Sequence, residues 1–288
     1  MEMRYPAIVL AVVFAGCLAP PGPPQYMNDA VRGGEDQRRA LDRILRELGP
    51  GFDTCVVDDL FFIASNGGAN SIRAAERTVR QVMDELYDVY FTRRPTRPVR
   101  VYCFRDSASY TEYVRSAYGR APSTPYGFYM ASERKMVLNL GTGRGTLAHE
   151  LVHPLLGEDF PGVPAWFNEG FASLFEFTKD TNGRMLGMHN WRLRDLKRSI
   201  RERREVPLRT LMGTTTEEFY GDDRGVHYAM ARYFCLYLQT NNLLIRYYQE
   251  FRASAGADST GIAALERVTR KSFDDFEKEW RSWIRELP

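Results

Sequence analysis

The segment His149-Glu150-Leu151-Val152-His153-Pro154 restricts the fold of this chain more than any other stretch. Residues i and i+4 share one face of a helix, about 5–6 Å apart at Cβ, so a helix here brings both imidazoles to one point. Pro154 works against that helix. It lacks the amide that would bond to the carbonyl of Glu150, its ring crowds the same carbonyl, and it biases His153 away from α geometry. The hydrogen bonds that align the two histidines all lie before it. The spacing therefore predicts a helix that carries both histidines, bends or stops at His153–Pro154, and turns back through "GEDFPGVP".

Only four histidines occur in the chain, and two of them stand in this segment. Two histidines at this spacing with a glutamate after the first are the ligand pair and general base of a zinc helix. A catalytic Zn²⁺ takes three protein ligands and keeps one position open. "PAWFNEGFASLFEF" offers the third, Glu169, on a second helix that begins at Pro164. Its apolar stripe of Trp166, Phe167, Phe171, Leu174 and Phe175 would bury that carboxylate among aromatics, at a cost a metal ion removes. Gly170 would let the two helices approach closely. Zn²⁺ is thus the expected cofactor, held by His149, His153 and Glu169 with Glu150 as base. His189 reads as a surface residue.

Local patterns set the rest of the organisation. Leu41, Ile44, Leu45 and Leu48 lie at helical spacing with Gly49 as a stop, and "CVVDDLFFIAS" reads as a strand or hairpin. Asn70 caps a long helix with the stripe Ala75, Val79, Val82, Leu86 and Val89. "VRVYCF" alternates as a strand, "SASYTEYVRSAYG" is a short helix, and strands follow near Tyr126–Met130 and Lys135–Leu140. From about residue 188 only helices are expected, at 190–204, 224–239, 242–252, 259–269 and 272–286, the last capped by Ser272 with Asp275. The fold class is α+β: a mixed α/β lobe over 35–160 ending in the two-histidine helix, then an all-helical lobe over 161–288.

The net charge of +2 gives no reason to expect a nucleic-acid surface. Arg4 and the apolar run "AIVLAVVFAG" suit an export signal over 1–17, too short to span a bilayer as a folded helix. "FAGC" resembles the lipobox of bacterial lipoproteins, with lipid on Cys17 and a Pro-rich tether over 18–34. The expected location is outside the cytoplasm, at the periplasm or cell surface, with membrane contact only through Cys17. Cys55 and Cys103 can pair in an oxidising compartment, or all of Cys55, Cys103 and Cys235 stay as buried thiols. No cysteine pair has metal-ligand spacing.

The motif pair resembles the gluzincin metallopeptidases, in which HExxH is followed on the next helix by a ligand glutamate. "WFNEGFASLFE" is similar to the corresponding helix of the aminopeptidase-N-like group, and the chain from about residue 50 is most similar to peptidase-MA-like proteins. The resemblance implies a zincin-like core and hydrolysis of peptide bonds. It implies that Asn168 orients a ligand histidine. It implies that Gly127, Phe128 and Tyr129, in "YGFYMASERKMVLNL", form an edge strand that pairs with an extended peptide. The oxyanion donor is implied in the helical lobe, where Tyr228 matches best, ahead of His227 and Tyr220. Three departures stand out. The spacing to Glu169 is shorter, the "GxMEN" segment that anchors a substrate amino terminus is missing, and Ser173 replaces an aspartate. Aminopeptidase activity is therefore not implied, and Glu158 or Asp159 could supply the missing carboxylate. The competing function is a non-catalytic peptide- or protein-binding module on the envelope surface, zinc-bound or metal-free.

Overall fold

The computed structural model describes residues 34–288. The expected export signal, the lipidation site at Cys17 and all but the last residue of the tether lie outside the described residues. Among the described residues no helix is long and apolar enough to cross a membrane. The chain is mixed α+β and divides into two compact units.

The α/β unit comprises residues 34–84 and 92–159. Helix α1 (Gly34–Leu48) ends where predicted, because Gly49 takes φ +80° and donates its N–H to the Leu45 carbonyl. Strands β1 (Asp53–Val57) and β2 (Phe61–Ser65) form an antiparallel hairpin, with Asp58 and Asp59 both at positive φ in the turn. Helix α2 (Gly68–Val89) starts before Asn70, so Asn70 lies within the first turn and accepts from Arg73 instead of capping. Ala75, Val79, Val82 and Leu86 are buried as the stripe predicts; Met83 joins them and Val89 is only half-buried.

Strand β3 (Val99–Phe104) runs parallel to β2 and to β5 (Lys135–Asn139), and β4 (Gly127–Met130) closes the sheet antiparallel to β5. The order is β1-β2-β3-β5-β4, which leaves β4 at an edge. Alternation in "VRVYCF" predicts one wet face, yet all six residues of β3 are buried. Central parallel strands are covered on both faces, so their sequence need not alternate in burial. Helix α3 (Ser107–Tyr118), capped by the Asp106 side chain and ended by Gly119 at φ +68°, packs on one face with α1. There Ala40, Ile44, Tyr110 and Val114 meet Phe62, Ala64, Tyr102, Phe104, Phe128 and Val137 in one cluster.

Helix α4 (Arg144–Asp159) carries the two histidines and packs on β4 and β5. Of the bend or stop expected at His153–Pro154, the stop does not occur: the helix runs on to Asp159 with the proline inside it. An interior proline costs about 3 kcal/mol through one lost hydrogen bond and a ring clash. Leu155 and Leu156, one turn beyond the ligand pair, are fully buried, and burying each contributes roughly 1.5–3 kcal/mol. Asp159 anchors the end by accepting from the backbone N–H groups of Thr92 and Arg93, both at 2.7 Å. Tertiary burial thus outweighs the local preference.

The second unit comprises residues 85–91 and 160–288. Helix α5 (Ala165–Leu174) begins after Pro164 as predicted, and all five stripe residues are buried. Its aromatic side packs within this unit: the Phe171 ring meets Tyr90 edge-on at 5.0 Å, and Trp166 lies against Phe234 at 5.3 Å. A hairpin of β6 (Thr178–Thr181) and β7 (Arg184–Gly187) follows, then α6 (Arg192–Arg201), α7 (Leu208–Met212) and α8 (Thr216–Phe219). The buried helix α9 (Arg224–Thr240) is the unit's axis, against which α5, α6, α7, α10 (Leu244–Ser254) and α12 (Phe273–Glu286) pack; α11 (Ile262–Thr269) joins the last two. The hairpin, α7 and α8 are absent from the sequence-based reading. Gly170 does permit a close helix approach, but to α9: a Cβ there would lie 2.6 Å from the Ala231 carbonyl oxygen.

Candidate metal centre

Helix α4 brings His149, Glu150 and His153 together as buried side chains, with 0%, 1% and 6% exposure. One ligand atom from each lies within 4.8 Å of the other two. The imidazole rings stand 4.9 Å apart at 78°, and the Glu150 carboxylate approaches His153 Nε2 to 3.8 Å. Two imidazole nitrogens and a carboxylate oxygen are the donor types divalent transition ions prefer, and small side-chain rotations close such a span onto one ion. This buried group can hold a metal ion. Burial matters because solvent would otherwise compete for the ligands and screen any charge the ion stabilises. The Glu150 charge also reaches α3: burial first and then that carboxylate raise the Tyr110 hydroxyl above its ordinary value.

The edge strand β4 has a definite polarity of hydrogen bonding. Asn139 N–H donates to the Tyr126 carbonyl at 2.7 Å, which makes that opposed pair a hydrogen-bonded one. Such pairs alternate along an antiparallel ladder. Phe128, opposite Val137, therefore spends its backbone groups on β5, while Gly127 and Tyr129 turn theirs away from the sheet. Of the three expected substrate-strand residues, only Gly127 and Tyr129 can bond an added strand; Phe128 contributes its ring to the core cluster. Gly127 has to be glycine, since a Cβ would meet Leu138 Cδ2 at 2.7 Å and the Val137 carbonyl at 2.8 Å.

The remaining candidates lie in the second unit. Glu169 is fully buried on α5, and the Tyr220 hydroxyl donates to its Oε1 at 2.7 Å. Asn168, half-buried, precedes it. Ser173 uses its hydroxyl on the Gly170 carbonyl at 2.8 Å. His227, near the start of α9, is buried and its Nδ1 contacts the Phe219 carbonyl at 3.0 Å. Tyr228 is buried one residue on, with the Arg192 guanidinium 5.2 Å from its ring centre. His189 is exposed, as its loop position predicts. Asp159, a candidate carboxylate for a ligand histidine, is committed to the Thr92–Arg93 backbone.

The three described cysteines are free thiols, so the Cys55–Cys103 disulfide is not formed. Burial pushes the Cys55 thiol up to about 11 and Cys103 to about 12, which makes both poor nucleophiles near neutrality.

The bond from Tyr220 to Glu169 links residues far apart in sequence, and the opening reading ranks Tyr220 last of three. One local signal was available: Thr215 and Glu218 form a reciprocal capping box, which marks a short helix that delivers Tyr220 at its end. No protein-family model matches the chain, and no curated protein matches it in sequence.

Proposed function

We propose that this protein is a zinc-dependent peptidase of the gluzincin type, with a zincin-like core, acting outside the cytoplasm. The buried convergence of His149, Glu150 and His153 on one helix carries the reading. His149 and His153 hold the ion, and Glu169 is the third ligand. A bound zinc ion supplies Lewis acidity: it polarises a carbonyl and brings the pKa of a water beside it towards about 7.

The chain's own groups do the rest. Gly127 and Tyr129 bind an extended peptide through their outward backbone groups, as an added strand. Glu150 takes the proton of the attacking water and delivers it to the leaving nitrogen, a role worth about 10²–10⁴-fold in rate. Tyr228 donates to the developing oxyanion. If neutral His227 donates from Nδ1 to the Phe219 carbonyl, its Nε2 is left as an acceptor, which disfavours it for that task.

One observation favours a second reading. Glu150 lies as close to the histidines as a ligand would, so it could complete a three-ligand site in a non-catalytic binding module. Glu150→Gln separates the two. The peptidase predicts unchanged zinc affinity and lost hydrolysis; a ligand role predicts weakened zinc binding. Full zinc binding with equal peptide turnover in both proteins would refute the peptidase.

A further inference from the structure

The edge strand β4 also forms one wall of a small apolar cavity within the α/β unit. Val114 and Tyr118 from α3, Ala121 and Pro122 from the loop after it, and Phe128 and Met130 from β4 enclose the space. The cavity measures about 50 Å³. At about 10–15 Å³ for each water-sized group, that is room for roughly four. A leucine side chain has that many carbons, and a phenylalanine side chain has too many. Phe128 lies in the core cluster under α1 and α3, and Met130 packs against the same cluster. Tyr129 points the other way, towards α4: burial raises its hydroxyl, Arg134 and Arg97 pull it down, and Glu158 of α4 raises it again.

We propose that this cavity is a specificity pocket that takes one aliphatic side chain of a peptide laid along β4. The inference rests on the strand-addition reading of β4 given above. Residues directly opposite each other on paired strands turn their side chains to one face, about 4.5–5.5 Å apart at Cβ. The peptide residues beside Gly127 and Tyr129 therefore face the side of α4. The residue between them, beside Phe128, faces the cavity. Phe128 gives its own backbone groups to β5, so this peptide residue is selected by its side chain, while its neighbours are held by hydrogen bonds. Arg120, the one charged residue of the lining, is exposed. An acidic peptide residue would meet it in water and gain little.

The test is cleavage-site profiling of the zinc-loaded protein on a library of random peptides, for wild type, Ala121→Phe and Met130→Ala. Wild type should favour leucine, valine or methionine at one fixed position, about tenfold or more over alanine. Ala121 is exposed, so a phenyl group built there fills the cavity from outside the core. The preference should vanish while cleavage continues. Met130→Ala should enlarge the cavity and move the preference towards phenylalanine. An unchanged profile in both variants, or no aliphatic preference in wild type, would overturn the pocket and leave the peptidase standing. Peptides held without cleavage, with the same preference read by fluorescence anisotropy, would uphold the pocket and overturn the peptidase. Neither cleavage nor binding of any peptide would overturn the strand-addition reading and the inference with it.

Discussion

Two clusters of ionisable side chains are buried in the α/β unit, and they are built on opposite plans. Where α1 meets β3 and β5, Arg100 and Lys135, 1% and 4% exposed, face Glu47 and Glu133. Lys135 lies 2.7 Å from Glu133, Arg100 lies 3.2 Å from Glu47, and the Tyr102 and Tyr113 hydroxyls donate to Glu47 at 2.7 and 2.8 Å. Two cations and two carboxylates satisfy each other. On α4, by contrast, two imidazoles and a carboxylate converge, all electron-pair donors when deprotonated. The first cluster balances its charge from within the chain, so it serves packing. The second gathers three donor groups of the kind a divalent ion takes on one helix, which is the pattern of a site.

The contrast can be broken in order of expected effect. Glu150→Gln should reduce peptide hydrolysis by about 10²–10⁴-fold and leave the unfolding curve unchanged. Lys135→Met should do the reverse. It leaves Glu47 and Glu133, whose side chains are 30% and 18% exposed, short of one cation and should destabilise by about 1–3 kcal/mol, less than a fully buried pair because solvent, Arg100 and the tyrosines remain. Zinc binding per folded chain should not change. Removing zinc with a chelator should lower the unfolding temperature of the wild type, by the equivalent of about 2.7 kcal/mol if free zinc had stood at a hundred times its dissociation constant. A His153→Ala protein should not respond to chelation.

The smallest effect is on pH dependence. Burial pulls the Glu47 carboxyl up, but Lys135, the two tyrosine hydroxyls and Arg100 bring it below its usual value. Burial pulls Lys135 down, while Tyr118, Glu47 and the Glu133 hydrogen bond raise it overall. A lowered carboxyl contributes stability that is complete above about 4.5 and lost as pH falls through its folded value. A raised lysine contributes stability that is complete below 10.5 and lost as pH rises through its folded value. Wild type should therefore lose this increment on both flanks, and Lys135→Met should have a flatter profile in urea titrations across pH.

Local chemistry made much of the fold readable. Gly49, Asp106 with Gly119, and Ser272 end or start helices by bonds within a few residues, and each lies at or beside the predicted boundary. The Asn182-Gly183 turn of the β6–β7 hairpin was equally readable, since that dipeptide takes positive φ at both positions. What stayed hidden depends on distant partners. Helix α4 continues past Pro154 because Leu155, Leu156 and Asp159 find buried partners. Strand β3 is buried throughout because β2 and β5 flank it. The pair of histidines could be read from its spacing, whereas the bond from Tyr220 to Glu169 joins positions 51 apart, and the capping box before Tyr220 marks a helix there but not its distant partner.

The most direct test is the metal content of the purified protein after dialysis against buffered zinc, measured for wild type, His149→Ala, His153→Ala and Lys135→Met. One zinc per chain in wild type and Lys135→Met, with none in the two histidine variants, is the expected result. Zinc retained by folded His149→Ala and His153→Ala at the wild-type level, or no zinc in folded wild type, would contradict the assignment of α4 as the metal-binding helix.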